Sequence, residues 1–259
     1  MLNRNLAVTL SSAALIASAS ACGMSVPGPQ PTSSAATAAS SPAQPAPSRG
    51  GQACAELGGS VEGGQTCHLQ SATRTYEFDI SFPLDYPDLD AVTAFVKQDR
   101  DGFVDWVAQY GRPPLSDEPY TYRATAETYG SGTPTSGTRS LVLELEQNTG
   151  AAHQGHPDTS YRAFNYDLGK HVPITFDTVF KPDAKPLEVL NPIVHRELIG
   201  NANADWDPNV EEPDAHTYRN FALTDDAVTF FFGENDVVHD DSGPSHVSVP
   251  RSELAPLMP

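Results

Sequence analysis

Cysteines and basic residues are scarce in this sequence, and the short motifs of common hydrolases and nucleotide-binding proteins are absent. Its 259 residues include three cysteines, and 15 lysines and arginines stand against 33 aspartates and glutamates, a formal net charge of −18. A chain this acidic repels phosphate backbones, which excludes nucleic acid as a partner. The motifs G-x-S-x-G, S-x-x-K and G-x-x-x-x-G-K do not occur. The sequence therefore does not indicate a serine hydrolase elbow or a phosphate-binding loop.

Long apolar runs are also missing beyond the N-terminus. The apolar stretch Leu6–Ile16 follows Arg4 and precedes small residues and Cys22, the pattern of a bacterial secretory signal with a lipoprotein cleavage site. We predict that residues 1–21 are removed and that Cys22 carries diacylglycerol and a further acyl chain such as palmitate, which together anchor a protein stably to the outer face of the cell membrane. The alternative is an ordinary signal peptide in which Cys22 has no special role.

Proline, serine and alanine dominate the residues after the predicted signal. Residues 23–50 contain six prolines and one charged residue, a composition that cannot bury a core. We predict that residues 22–50 are the lipidated cysteine followed by an extended tether, and that residues 51–259 form one globular domain. No internal repeat is visible, and we expect a monomer.

The remaining two cysteines, Cys54 and Cys67, enclose a glycine-rich segment. An even pair of cysteines in an exported chain predicts a disulfide, since disulfides persist in oxidising compartments. A metal site is the alternative. It is disfavoured because two thiols without a neighbouring C-x-x-C motif do not make a typical zinc site.

Alternating apolar and polar residues predict strands, and apolar residues at helical spacing predict helices. The predicted strands are residues 75–82, 120–129, 139–148, 160–168, 172–180, 218–224, 227–233 and 245–250. The predicted helices are the long segment 86–111, with Asp88 as N-cap, and the shorter segment 186–200, which Pro192 kinks or divides. A short C-terminal helix starts at Ser252. This order predicts an α+β fold, with a mostly antiparallel or mixed sheet packed against one long helix and a second shorter helix.

Several blocks of the sequence together carry a family resemblance. They are "YPDLDAVTAFVKQDRDGFVDWV", "GTRSLVLELEQNTGAAH", "SYRAFNYDLGKHVPITFDTVF", "NPIVHREL" and "NFALTDDAVTFFFGENDVV". In this order they resemble the secreted immunogenic antigens of mycobacteria, the MPT/MPB sixty-four family, from about Cys54 to Leu257. The C-terminal two-thirds is also similar to the extracellular sensor domain of the membrane anti-sigma factor RsiV, especially in the Gly–Ala–His element and the phenylalanine-rich hairpin.

The resemblance implies a β-grasp-like fold, an exported protein and no established enzyme activity. Because RsiV-type domains bind lysozyme, it also implies a protein as one class of partner. This chain differs from the antigens in having Cys22 and a proline-rich tether. It is therefore predicted to stay on the cell surface, whereas the antigens are released.

Three histidines, His153, His156 and His171, are candidates for chemistry. His153-x-x-His156 beside Asp158 offers donors for zinc, but the first two lie in a predicted loop and H-E-x-x-H is absent. The acidic residues of 205–211 alternate as in a calcium loop without its required glycine and terminal glutamate. We predict no metal and no cofactor, and a structural or ligand-contacting role for the histidines.

Carboxylates provide a catalytic alternative. Glu144 and Glu146 lie two residues apart on one predicted strand, so they point to the same face about 7 Å from each other at the backbone. Such a pair suits acid–base catalysis in a glycosidase. An envelope-glycan or lipid hydrolase, using carboxylates or a histidine-bound metal, is therefore the alternative function.

Aromatic and histidine side chains are the candidates for ligand binding. We predict that His153, His156, Tyr161 and Trp206 contact a ligand, if one face of strand 160–168 is open. The leading interpretation is a lipoprotein whose domain is a non-catalytic binding or sensor module. Its partner is a protein such as lysozyme, or an envelope glycan or lipid.

Overall fold

A seven-stranded sheet, whose strands are neighbours in chain order, organises the protein. The computed structural model describes residues 48–111, 118–150, 157–200, 213–237 and 243–259. The strands are β1 (Ser60–Glu62), β2 (Thr66–Ala72), β3 (Tyr76–Pro83), β4 (Tyr120–Ser131), β5 (Thr138–Asn148), β6 (Asp158–Asp167) and β7 (Val172–Ile174). β3 and β4 pair in parallel because a helix crosses between them, and all other neighbours pair antiparallel. The predicted mixed sheet is confirmed.

The crossover helix α2 (Leu89–Tyr110) covers one face of this sheet. Its apolar residues recur at helical spacing, and the buried ones are Leu89, Val92, Val96, Phe103 and Val107. They pack against the inward-facing residues of β3, β4 and β5. The long helix is confirmed. Asp88 lies at the N-cap position, but its side chain makes no capping hydrogen bond.

A small second sheet covers part of the opposite face. It consists of β8 (Phe221–Leu223), β9 (Ala227–Phe232) and β10 (Ser245–Pro250), in the order β10-β9-β8. Two buried polar contacts join the sheets: the Leu223 N–H donates to Ser140 Oγ at 3.0 Å, and Asn165 Nδ2 donates to the Phe221 carbonyl at 2.8 Å. Buried polar groups need such partners, so these bonds fix how the sheets meet.

Helices α3 (Phe176–Val179), α4 (Pro186–Gly200) and α5 (Arg251–Leu254) complete a second core on the far side of the small sheet. The prediction of one strand over 172–180 is wrong after Ile174. Thr175 and Thr178 form a capping box, in which the Thr175 N–H donates to Thr178 Oγ1 at 2.8 Å, and this local bonding starts α3 instead. Helix α4 continues through Pro192. None of the helices within the described ranges is long and apolar enough to cross a membrane.

The N-terminal part of the domain is tied down by a disulfide. Helix α1 (Arg49–Glu56) starts after Ser48, whose hydroxyl accepts the Gly51 N–H at 3.1 Å. Its Cys54 bonds to Cys67 of β2, which confirms the predicted pair, and both residues are fully buried. A Cβ on Gly59 would lie 2.8 Å from Cys54 Sγ, so the adjacent turn needs glycine.

Removal of the disulfide is expected to destabilise the whole domain. The bond closes a loop with a sequence separation of 13, and a loop of this size contributes about 3 kcal/mol in the chain-entropy model. The double change Cys54→Ala with Cys67→Ala should lower the free energy of unfolding in urea by about this amount. Addition of a reductant should then lower the stability of the wild type and leave that of the variant unchanged. Equal midpoints for the oxidised wild type and the variant would contradict this role.

Candidate functional site

A groove lies where β9 and β10 of the small sheet approach β4, β5 and β6 of the large sheet. It has a volume of about 430 Å³ and is lined by Glu127, Tyr129, Val142, Glu144, Tyr161, Thr229, Phe231, His246 and Ser248. We call it the Glu144 groove. The strand register creates it, since Glu144 lies opposite Tyr161 and Val142 lies opposite Glu127. Directly opposed residues of an antiparallel pair share a face, so these side chains converge.

Aromatic rings form the base and walls of the Glu144 groove. The Phe231 ring is 5.4 Å from Tyr161, 5.9 Å from Tyr129 and 6.2 Å from His246, measured between centroids. Phe231 itself is only 8% exposed. Its neighbours Phe230 and Phe232 point the other way, into the core around α4. The phenylalanine run of β9 thus serves a core on one side and a groove on the other.

The groove is acidic. The Tyr129 hydroxyl donates to Glu127 Oε2 at 2.5 Å. Desolvation, followed by repulsion from Glu146 and Glu127, raises the pKa of the Glu144 carboxyl above its ordinary value. Desolvation, followed by the charge of Glu144, also raises the pKa of Tyr161 to about 12. No lysine or arginine is among the described lining residues, so the groove has an uncompensated negative charge that suits a cation.

Hydroxyl and imidazole groups stand on the opposite wall. His246 and Ser248 lie two residues apart on β10 and both line the groove. The Ser248 and Thr229 hydroxyls are 2.8 Å apart and hydrogen-bonded to each other. Within the part of the chain that the structure describes, the Ser248 hydroxyl is hydrogen-bonded to Thr229 and not to the His246 ring. The groove therefore does not present an assembled serine–histidine pair of the kind that nucleophilic catalysis uses.

The structure describes only some of the predicted site residues. Tyr161 lines the Glu144 groove, while His153, His156, Trp206 and Cys22 lie outside the described residues. The acidic segment 205–211 also lies outside them. His171 occupies the turn after β6 with a φ of 58°, and its N–H donates to the Asp167 carbonyl at 2.8 Å. In the described ranges, no group of three or more His, Cys, Asp or Glu side chains is arranged to hold a metal ion.

The predicted carboxylate pair shares one face, yet its members have different surroundings. Glu144 lines the groove, whereas Glu146 lies 3.8 Å from the Arg123 guanidinium in a neighbouring depression. Sequence reasoning missed Glu127 and His246 because they come from distant strands. The sequence shows only that they lie on strands, and the packing of the two sheets brings their faces together.

A family model matches part of the chain. Residues 177–252 match the family model "Protein of unknown function (DUF3298)". A solved structure of a DUF3298 family member from Bacteroides fragilis superimposes with a TM-score of 0.50 at 12% identity, over 78% of this chain and 94% of that one. This likeness concerns the fold alone.

Two curated relatives are more similar in sequence. The chain is 45% identical over 206 residues to Esterase Rv3036c of Mycobacterium tuberculosis, covering 79% of this chain and 88% of that protein. It is 37% identical over 213 residues to Immunogenic protein MPB64 of Mycobacterium bovis, covering 79% and 87%. The chain therefore belongs to the family of Immunogenic protein MPB64, as the sequence resemblance predicted. This membership supports an exported, antigen-like protein.

The charge of Glu144 is expected to reduce the stability of the ligand-free protein. Because the pKa of Glu144 in the folded state is raised from 4.5, the folded state carries a penalty that is absent at lower pH and grows as the carboxyl ionises. Glu144→Gln should therefore increase the free energy of unfolding at pH 7, and the increase should disappear in acid. Urea titrations of the wild type and the variant, from acid to pH 7, measure this difference in the free energy of unfolding.

Glu146→Gln is the matched control for this prediction. It removes the same charge two residues away, but it also removes the partner of Arg123, so it should give a smaller increase at pH 7. A Glu144→Gln protein that is less stable than the wild type at pH 7 would contradict the assigned environment of Glu144.

Proposed function

We propose that the chain is a surface lipoprotein whose domain binds a basic protein and takes one of its lysine or arginine side chains into the Glu144 groove. The observation that carries this proposal is the environment of the Glu144 carboxylate. It is a partly desolvated carboxylate beside Glu127 and Glu146, its pKa is raised, and no described cation lines the groove with it. A bound ammonium or guanidinium group would supply the missing charge.

The groove offers two kinds of interaction to a cation. An ion pair with Glu144 is formed in a partly dehydrated setting, where charges attract more strongly than in water. The rings of Tyr129, Tyr161 and Phe231 surround the same space. A cation over such rings gains about 0.5 to 2 kcal/mol. The net charge of −18 adds long-range attraction for a basic partner and increases its rate of association.

The proposed location follows from the N-terminal sequence. Cys22 after a secretory signal is the expected site of acylation, and residues 23–50 have the composition of a tether. The kinship with the MPB64 antigen supports export. Anchoring would hold the domain outside the membrane, where it meets proteins of the surroundings and the polymers of the envelope.

Lysozyme is the first partner to test, since it is basic and since RsiV-type domains, which this chain resembles, bind it. A calorimetric titration of the chain carrying Cys22→Ser, which cannot be acylated, should show saturable binding at about 0.15 M and at about 0.5 M salt. Exposed charges are mostly screened at the higher salt, so the surviving affinity reports a shaped interface. Glu144→Gln should weaken it about tenfold or more, because the buried partner charge is left unpaired.

Glu253→Gln provides the control for net charge. Glu253 is exposed on α5 and its loss should change the affinity less than about twofold, as is usual for exposed charges. Equal effects of the two substitutions, or loss of all binding at the higher salt, would refute the groove as the binding site. Envelope glycans would then be the next ligands to test.

A carboxylester hydrolase is the second candidate, favoured by the 45% identity to Esterase Rv3036c. In the Glu144 groove, Ser248, His246 and Glu144 offer a nucleophile, a base and an acid within one volume. If this function holds, p-nitrophenyl esters are hydrolysed and Ser248→Ala or His246→Ala lowers kcat at least about a hundredfold. Hydrolysis that both variants retain would place the activity elsewhere, and no turnover at all would leave binding as the function.

A further inference from the structure

A second groove opens on the helix side of the large sheet, between α2 and the adjoining ends of β5 and β6. It has a volume of about 850 Å³. Phe95, Phe103 and Trp106 supply its apolar surface, and Gln98, Gln147 and Arg162 its polar surface. We call it the Arg162 groove. It is separate from the Glu144 groove, because Arg162 lies opposite Leu143 and its neighbour Tyr161 opposite Glu144, on the other face of the sheet.

The Arg162 guanidinium lacks a carboxylate partner within the described ranges. Its Cζ lies 5.3 Å from the ring centroids of both Phe95 and Phe164, so the side chain is supported by aromatic faces rather than by an acid. Five other arginines of this acidic chain pair with acids, while Arg219 and Arg251 donate to the His216 carbonyl and the Ser131 hydroxyl. Ion pairs with aspartate or glutamate are formed by Arg49, Arg100, Arg123, Arg139 and Arg196.

Arg162 is exposed, and its guanidinium lies against the rings of Phe95 and Phe164. Desolvation, with a smaller contribution from Arg219, lowers the pKa of the guanidinium. A guanidinium held against rings presents its N–H groups in a fixed plane, and an anion can bind it through two parallel hydrogen bonds. The amides of Gln98 and Gln147 line the same groove and can donate further hydrogen bonds to such an anion.

The helix side of the groove is open and apolar. A Cβ added to Gly102 of α2 would meet no atom within 4 Å, so this turn of the helix leaves free space. Trp106 packs edge-on against Tyr120 with centroids 5.6 Å apart and is half-buried. Phe103 beneath it is 4% exposed. An apolar chain lying here would contact rings along its length.

We infer that the Arg162 groove binds a carboxylate-bearing amphiphile of the fatty-acid type. Its carboxylate pairs with the Arg162 guanidinium and its apolar tail lies along Phe95, Phe103 and Trp106. A head group of one negative charge is preferred to a doubly charged phosphate, because one guanidinium faces the groove and Asp99 also lines it, with its Oδ2 accepting the Tyr122 hydroxyl at 2.6 Å. The volume lies within the range of small-molecule sites.

Tryptophan fluorescence tests this inference directly. The chain has two tryptophans, so Trp206→Phe leaves Trp106 as the reporter, and Cys22→Ser prevents acylation. Dodecanoate, titrated below the concentration at which it forms micelles, should change the Trp106 emission saturably. Arg162→Gln should weaken this binding about tenfold or more, the usual effect of losing a hydrogen-bonded charge, and Arg162→Lys should weaken it less.

Two controls separate the charge from the tail and from global effects. Arg123→Gln removes an arginine from the opposite face of the sheet, where it lies 3.8 Å from Glu146, and should change the affinity less than about twofold. Dodecanol, which has the tail without the charge, should bind the wild type more weakly than dodecanoate and be indifferent to Arg162→Gln. Circular dichroism of each variant verifies the fold.

Several results would overturn the inference. They are equal affinities of the wild type and the folded Arg162→Gln protein, equal affinities for dodecanol and dodecanoate, or no saturable change in emission. An emission that depends on protein concentration without added dodecanoate, and no longer does so in Arg162→Gln, would show that a carboxylate of a second copy occupies the groove. That result would also overturn a fatty-acid site.

Discussion

The two-residue period of β5 is the constraint on which the rest of the structure depends. Leu141, Leu143 and Leu145 face α2, while Val142 and Glu144 face the small sheet. Because side chains alternate strictly along a strand, a register shift of one residue would exchange the two sets. The leucines would then meet the small sheet, and Glu144 would enter the core beneath α2. Both packed layers therefore hold β5 in one register.

The same alternation places different charged groups on the two faces of the sheet around Tyr161 and Arg162. Tyr161 and Arg162 are consecutive residues of β6, yet Tyr161 lines the acidic Glu144 groove under the small sheet and Arg162 lines the groove beside α2. The sheet between them carries buried leucines, which separate the charges and prevent their mutual neutralisation. A strand pair between two layers can thus present a carboxylate on one face and a guanidinium on the other, while the residues packed beneath the layers stay apolar.

Local patterns predicted the elements well, and they failed where contacts between distant segments decide. The helix over 86–111, the pairing of 120–129 with 139–148 and the Cys54–Cys67 disulfide all depend on local spacing or on cysteine chemistry, and all three are confirmed. The strand expected to reach residue 180 ends at Ile174, because Thr175 and Thr178 bond to each other's backbone. Two threonines three residues apart can compete with strand hydrogen bonds through their hydroxyls, so the sequence already indicated this end of the strand.

The candidate site was less accessible to sequence reasoning for a physical reason. Glu127 lies between half-buried Ala126 and exposed Thr128, and exposed His246 precedes buried Val247. Any solvated strand face can show such patterns, and only the packing of one sheet on the other makes the two residues neighbours. Folding alone would favour a cation beside Glu144, since a partly buried charge without a partner costs stability. Among the described residues, Glu144 lacks a cation in its groove and Arg162 lacks a carboxylate partner, on opposite faces of one strand pair. Departures from local consistency of this kind often mark functional positions, which makes both grooves guides to function.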